Sequence, residues 1–352
     1  MEKVVYVLGA GFSAPLGLPV MSNFLGVAKQ MHREHPDDFS HFKPVLDEIK
    51  RIDTVLKYFH ADLFNIEELL SIYETNNRLR SKEAEFIQLI KDVITSCTPT
   101  PDFDENEITP SDLGHRLFTT GGTNRWQNYG HFLSHLCNLY VSPHTRTDTA
   151  FCVPDFNFIA ENEIKYSYSI ISLNYDLVVE TILDYLNKRF REGSDIILVT
   201  SIGVEDHSSK CLNFCKLHGS VNGDIIAPTA NKGYMSDEIL GHWKLALKVL
   251  TDANHIRMLG YSLPVSDSYI KYLFKAAILD CYDLKSFDVI CLDPNGDVQR
   301  RYNEFIQPGR FKFYAADVSN YLESMAKGRS YQGGDILFNK IEERHNIYPR
   351  VG

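Results

Sequence analysis

The sequence predicts an α/β fold. A Rossmann-like parallel sheet carries helices on both faces and is interrupted by an inserted α-helical subdomain. Three observations support this. The chain opens on a β-branched and aromatic run ending in a glycine-rich turn, Val4-Val5-Tyr6-Val7-Leu8-Gly9-Ala10-Gly11. Strand-like runs alternate with helical stretches from about residue 166 onward. Between these parts, apolar residues recur at helical spacing.

Residues 3–9 have the pattern of a buried strand. Gly9, Gly11 and Gly17 surround the turn after it, and a helix near Ser13 is disturbed by Pro15 and Pro19. Helical periodicity then covers Asn23–Glu34, Phe42–His60, Ile66–Asn77, Lys82–Ser96 and Trp126–Tyr140. Asn65 with Glu68 three residues later fits an N-cap box. Thr98–Pro110 and Thr119–Thr123 read as loops. Strands return at Tyr168–Leu173, Ile196–Thr200, Phe214–Leu217, Ile256–Leu259, Phe287–Leu292 and Phe311–Tyr314. Helices fall at Leu177–Lys188, Ser268–Ala277 and Asp317–Met325, with Ser266 expected to cap the second. The expected organisation is a sheet domain of residues 1–24 and 166–326, a helical insert of 25–165, and a polar tail of 327–352 with a short helix near Ile336–Glu343.

The chain has 352 residues, 44% of them hydrophobic and 23% charged, which suits a globular protein. No apolar run approaches the ~20 residues of a membrane span, and the N-terminus does not read as a signal peptide. A cytoplasmic protein is expected. The net charge of −10 argues against a broad nucleic-acid surface. Seven scattered cysteines suggest reduced thiols.

Several motifs fall at predicted strand ends, where parallel sheets bind ligands. In the Gly9-Ala10-Gly11 turn, glycine allows close backbone approach to a pyrophosphate. A tight turn without a ligand would have the same sequence. A dehydrogenase fingerprint also needs an acid about 20 residues on, at a second strand end. That region, Val27-Ala28-Lys29-Gln30-Met31, is helical, which disfavours hydride transfer. Asn174 and Asp176 follow a strand and suit either ligand contact or turn capping. His218, in Leu217-His218-Gly219-Ser220, is one of 13 histidines and titrates in the range useful to a base. Gly260-Tyr261-Ser262 and Asp293-Pro294-Asn295 follow further strands, and the latter reads equally well as a turn. His131, His135 and Cys137 share one predicted helix, where packing explains them better than a metal. Glu67 and Glu68 could face the cleft, or balance a helix N-terminus.

Taken together and in this order, Gly9-Ala10-Gly11 with Ser13 and Gly17-Leu18-Pro19, Ser172-Leu173-Asn174-Tyr175-Asp176, Lys216-Leu217-His218-Gly219-Ser220 and Leu259-Gly260-Tyr261-Ser262 resemble the nucleotide-binding core of the Sir2 (sirtuin) family, in its SIR2-like branch. The resemblance covers roughly residues 3–24 and 166–320. It implies NAD as substrate, cleaved at the nicotinamide–ribose bond. It also implies Asn174 orienting water and ribose, His218 as base and Asp176 facing the nicotinamide carboxamide. Gly9, Ala10, Gly11, Ser13, Pro19, Gly219, Gly260, Ser262, Asp293 and Asn295 are the implied cofactor-binding residues. The family's Thr between the last Gly and Ser is Tyr261 here.

Sirtuin deacylases carry a zinc ribbon with two Cys-x-x-Cys pairs. This chain has no Cys-x-x-Cys, and its nearest pair is Cys211 and Cys215. No zinc is expected, and water becomes the favoured acceptor over acyl-lysine. The alternatives are a deacylase or ADP-ribosyltransferase, and a non-catalytic NAD or ADP-ribose sensor. Members of this branch are often bacterial antiviral effectors that deplete NAD. Because an unrestrained NADase would poison its host, restraint by homo-oligomerisation or by a partner such as an associated ATPase is expected.

Overall fold

The computed structural model describes residues 1–55, 66–98, 117, 126–146, 153–160, 164–189, 197–199, 211–226, 236–326 and 340–348. Nine strands lie within these residues: β1 (Glu2–Leu8), β2 (Leu139–Arg146), β3 (Val153–Ala160), β4 (Tyr166–Ser172), β5 (Ile197–Val199), β6 (Cys211–Lys216), β7 (His255–Leu259), β8 (Ser286–Cys291) and β9 (Lys312–Ala315). Seven form one sheet in the order β5-β6-β4-β1-β7-β8-β9, and every pairing in it is parallel. Without the edge strand β5, the order is that of a Rossmann sheet, so the fold class is α/β as expected.

β1 lies at the centre and is buried on both faces, as a parallel strand between two helical layers must be. Val4, Tyr6 and Leu8 enter one apolar cluster with Tyr168, Ile170, Phe132 and Leu322. Val5 and Val7 enter another with Leu245, Leu250, Ile270 and Phe274. The second cluster is roofed by the helices Asp237–Thr251 and Ser268–Leu279. The first is roofed by Trp126–Leu136, Val178–Arg189 and Val318–Ala326, and it continues into the insert. The Tyr129 hydroxyl donates to the Phe12 carbonyl, and the two rings meet edge-to-face at 5.0 Å. The insert thus shares its core with the sheet.

The insert is not wholly helical. Helices Phe24–Glu34, Phe42–Val55, Ile66–Thr75, Asn77–Arg80, Glu83–Cys97 and Trp126–Leu136 precede an antiparallel hairpin of β2 and β3. The helix expected to reach Tyr140 stops at Leu136, because Asn138 takes φ +52, a left-handed stop that Asn tolerates. The expected Asn65 cap lies outside the described residues. Ser266 does not cap the helix Ser268–Leu279. Asp267 stands at that position and makes no capping bond.

Part of the C-terminal segment departs from a polar tail. The helix Lys340–Ile347 is docked on the sheet, with Ile341, Glu342 and His345 buried. Across β1, β7 and β8, Tyr6, Arg257 and Asp288 are register partners. Arg257 makes a two-pronged ion pair with Glu342 and donates to the Tyr6 hydroxyl at 2.5 Å. Tyr168 donates to Glu342 at 3.1 Å. His345 sits 3.3 Å from Asp288 through Nε2 and 2.9 Å from the Tyr321 hydroxyl through Nδ1. Glu342 and His345 look solvated in sequence, but charges on buried strands neutralise or bond them.

Removing one member of a buried pair strands the other. Arg257→Met should cost about 3–5 kcal/mol in urea unfolding, and adding Glu342→Leu should recover much of it. Burial holds the pKa of His218, His242 and His345 below the ordinary histidine value. The unfolded chain therefore takes up protons first as pH falls through about 6.5, so stability declines from there downward. Urea midpoints at pH 7 and pH 5 test this, and an equal or higher midpoint at pH 5 refutes it.

Candidate active-site cleft

The chain passes from β1 to β4 on one side of the sheet and later returns to β7 on the other side of β1. Such a reversal opens a crevice at the carboxyl ends of the strands. Backbone contact closes its floor. Gly9 N–H donates to the Leu259 carbonyl at 3.0 Å, and Gly11 N–H to the Gly260 carbonyl at 2.9 Å. Gly260 has φ +65, and a Cβ there would lie 2.4 Å from Gly11 C and Phe12 N. A Cβ on Gly9 would lie 2.6 Å from Tyr261 Cα. The glycines therefore serve first to let two loops touch. Phe12 N–H also bonds inward, to the Gly9 carbonyl, so Ala10 keeps its N–H outside this backbone scheme.

A cleft of about 980 Å³ lies above this floor, a size ample for a nucleotide-class ligand. Its lining includes Gly9, Ala10, Gly11, Asn174, Gly260, Ser262 and Arg301. Glu68 of the insert lines it too, while the side chain of Glu67 lies outside the described residues. A small hollow of about 50 Å³ adjoins the cleft, sharing Ala10, Met21, Leu173 and Asn174 with it. Ser13, Pro19 and Asp176 line the hollow, and Phe24 together with Ile66 and Ile94 of the insert walls it.

Asn174 joins the two spaces. Its Nδ2 donates to the Gly9 carbonyl at 3.0 Å and to Ser13 Oγ at 3.2 Å, tying the end of β4 to the turn after β1. These bonds use both amide donors and leave Oδ1 as the side chain's acceptor. Asp176 Oδ1 accepts from Val178 N–H at 3.0 Å, starting the helix Val178–Arg189. The Asp176 carbonyl is held by the buried Lys216 ammonium, which also pairs with Glu180 at 2.8 Å.

His218 follows β6 and is buried, lining neither cleft nor hollow. Its ring meets Tyr175 edge-on at 6.1 Å, and Tyr175 lines the hollow. Its Nε2 lies 3.9 Å from Asp267 Oδ1, and Asp267 Oδ2 accepts from the Tyr261 hydroxyl at 2.5 Å. Burial lowers the His218 pKa, and the Asp267 charge partly offsets this. Gly219 has φ +80, and a Cβ would fall 1.8 Å from the Asp224 carbonyl, so it shapes the loop behind His218.

The β8 end differs from the expectation. Asp293 accepts from Val298 N–H at 3.0 Å and Gln299 N–H at 2.9 Å, capping the helix Asp297–Phe305. Neither it nor the exposed Asn295 lines the cleft. Sequence reasoning missed Tyr175, Tyr261, Asp267 and Arg301 as site neighbours. The available signal for Asp267 was an acid next to the expected helix start at Ser266. His131 and His135 lie on the helix Trp126–Leu136, which packs in the core, and Cys137 falls just past its end; among the described residues no cluster of three His, Cys, Asp or Glu is placed to hold a metal.

No protein-family model matches this chain, and no curated protein sequence matches it.

Gly260→Ala should destabilise the fold more than Gly296→Ala. Both positions have positive φ, worth about 1–3 kcal/mol of strain. Gly296 has open space around it, whereas Gly260 meets backbone. Thermal or urea midpoints decide, and equal losses would show that the loop contact is not tight.

Proposed function

We propose that this protein hydrolyses NAD+ to nicotinamide and ADP-ribose. The observation that carries the reading is Asn174. It lines both the large cleft and the small hollow, and it is bonded to the glycine turn and to Ser13. The motif resemblance supplies the chemistry.

In this reading the dinucleotide lies over the Gly9–Gly11 and Gly260–Ser262 crossing, and nicotinamide points toward the hollow beside Asp176. The C1′–N bond breaks, and its electron pair neutralises the pyridinium, so no strong general acid is needed. Asn174 Oδ1 orients ribose and water, and water adds to the oxocarbenium-like C1′. His218 accepts the proton, giving nicotinamide, ADP-ribose and H+. Positioning and oriented dipoles supply most of the rate. Asp267 is a positioning residue: when His218 takes a proton, the buried carboxylate becomes its counter-ion.

The burial of His218 bears on control. Tyr175 and the Tyr261–Asp267 pair flank it, so reaching a bound ribose requires one of them to move. That suits an enzyme held latent until oligomerisation or a partner releases it, as an NAD-depleting antiviral effector needs. The same burial favours a second reading, a non-catalytic NAD or ADP-ribose sensor.

Chromatography of NAD and nicotinamide separates the two. With no acceptor added, wild type should release nicotinamide matching NAD loss, and His218→Ala should lose about 10²-fold or more. Asp267→Asn should move the acid limb of the pH–rate profile to lower pH, since the Asp267 charge raises the His218 pKa, and should lower the plateau. Equal turnover by wild type and His218→Ala refutes His218 as base. Binding without turnover, with or without candidate partners, supports the sensor.

A further inference from the structure

We infer that the β8 end of the cleft is a subsite for a phosphorylated adenosine, so that the 2′-phosphorylated dinucleotide NADP is a ligand and substrate beside NAD. The inference deepens the dinucleotide reading above and rests on it for the turnover arm alone.

Three features meet at this end. Arg301, on the helix Asp297–Phe305, is the only lysine or arginine lining the cleft among the described residues, against Glu68 and Asp317. Its Nε donates to the Ser262 carbonyl at 2.9 Å, which fixes the guanidinium at the rim. No hydrogen bond among the described residues uses its two terminal nitrogens, which could grip a phosphate in fork geometry. Beside it, Leu292 and Val265 line the cleft at 62% and 78% exposure, unusually open for large apolar side chains. They offer faces for a purine ring.

The third feature is the fate of Asp293. In general a carboxylate free to bond a ribose 2′-hydroxyl repels a 2′-phosphate, whereas an arginine beside it grips one. Both Asp293 oxygens are committed to Val298 and Gln299 amides, so that acid is withdrawn while Arg301 faces the cleft. Position separates this anion from the pyrophosphate. β7 lies between β1 and β8. The glycine turn and the β8 end are therefore two strand spacings apart, about 10 Å. A dinucleotide whose pyrophosphate lies at the turn and whose adenine lies at Leu292 brings its adenosine ribose toward Arg301.

Calorimetry with adenosine 2′,5′-bisphosphate and AMP tests the subsite without turnover. Wild type should bind the bisphosphate about tenfold more tightly than AMP. Arg301→Ala should bind both alike, at the wild-type affinity for AMP, and Arg301→Lys should keep part of the preference. No preference in wild type overturns the inference, as does a preference unchanged in Arg301→Ala. Equal weakening of both ligands in Arg301→Ala also overturns it, since Arg301 would then serve the 5′-phosphate. A nicotinamide-release assay with NAD and NADP completes the test. If neither dinucleotide is cleaved, with or without candidate partners, while the Arg301-dependent preference holds, the hydrolase reading falls and the subsite stands.

Discussion

The structure depends on one backbone contact, between the loop after β1 and the loop after β7. Gly9 and Gly11 on one side and Gly260 on the other have no side chain because there is no room for one. Their amides and carbonyls bond across the gap. This contact sets the floor of the cleft and the height of Asn174 above it. It also explains why a glycine-rich turn need not mean a ring of free amides. Most of these N–H groups are spent inside the protein, so a bound anion must find its partners partly elsewhere.

The sheet was legible because its strands are short, apolar and separated by helical spacing, and local pattern decides such elements. The hairpin of β2 and β3 was hidden by the helix just before it, whose stop is a single left-handed Asn138. Of the site, the residues on strand-end turns were readable, since loop chemistry at strand ends is where glycine, Asn, Asp and His stand out. Asp293 shows the limit. Its sequence fits both a ribose contact and a turn, and only coordinates show that its oxygens hold amides. Asp267, Tyr261 and Tyr175 act through packing around His218, which no spacing rule encodes.

The docked C-terminal helix follows from charges that look out of place in strands. Arg257 lies between Ile256 and Met258, and Asp288 between Phe287 and Val289, all buried. A charge on a buried strand needs a partner, and the helix Lys340–Ile347 brings Glu342 and His345 to these two. The connection reaches the cleft. His345 bonds Tyr321 in the helix Val318–Ala326, and Val318 at the start of that helix lines the cleft with Asp317. The last helix and the cleft are thus two ends of one packed unit.

Asp267 shows a local cost accepted for the site. As the N-cap residue of Ser268–Leu279 it makes no capping bond, although such a bond contributes about 1 kcal/mol elsewhere. Leu263, four residues earlier, takes φ +51, a conformation that costs a branched side chain energy. Both departures turn the segment after Gly260 inward, so that the Asp267 carboxylate meets Tyr261 and approaches His218. An isolated buried histidine resists protonation, and a nearby carboxylate charge offsets part of that resistance. The Asp267 charge thus opposes the burial that lowers the His218 pKa, although burial remains the larger effect. In the proposed reaction, that contact is what the missing cap bond and the strained Leu263 would be exchanged for.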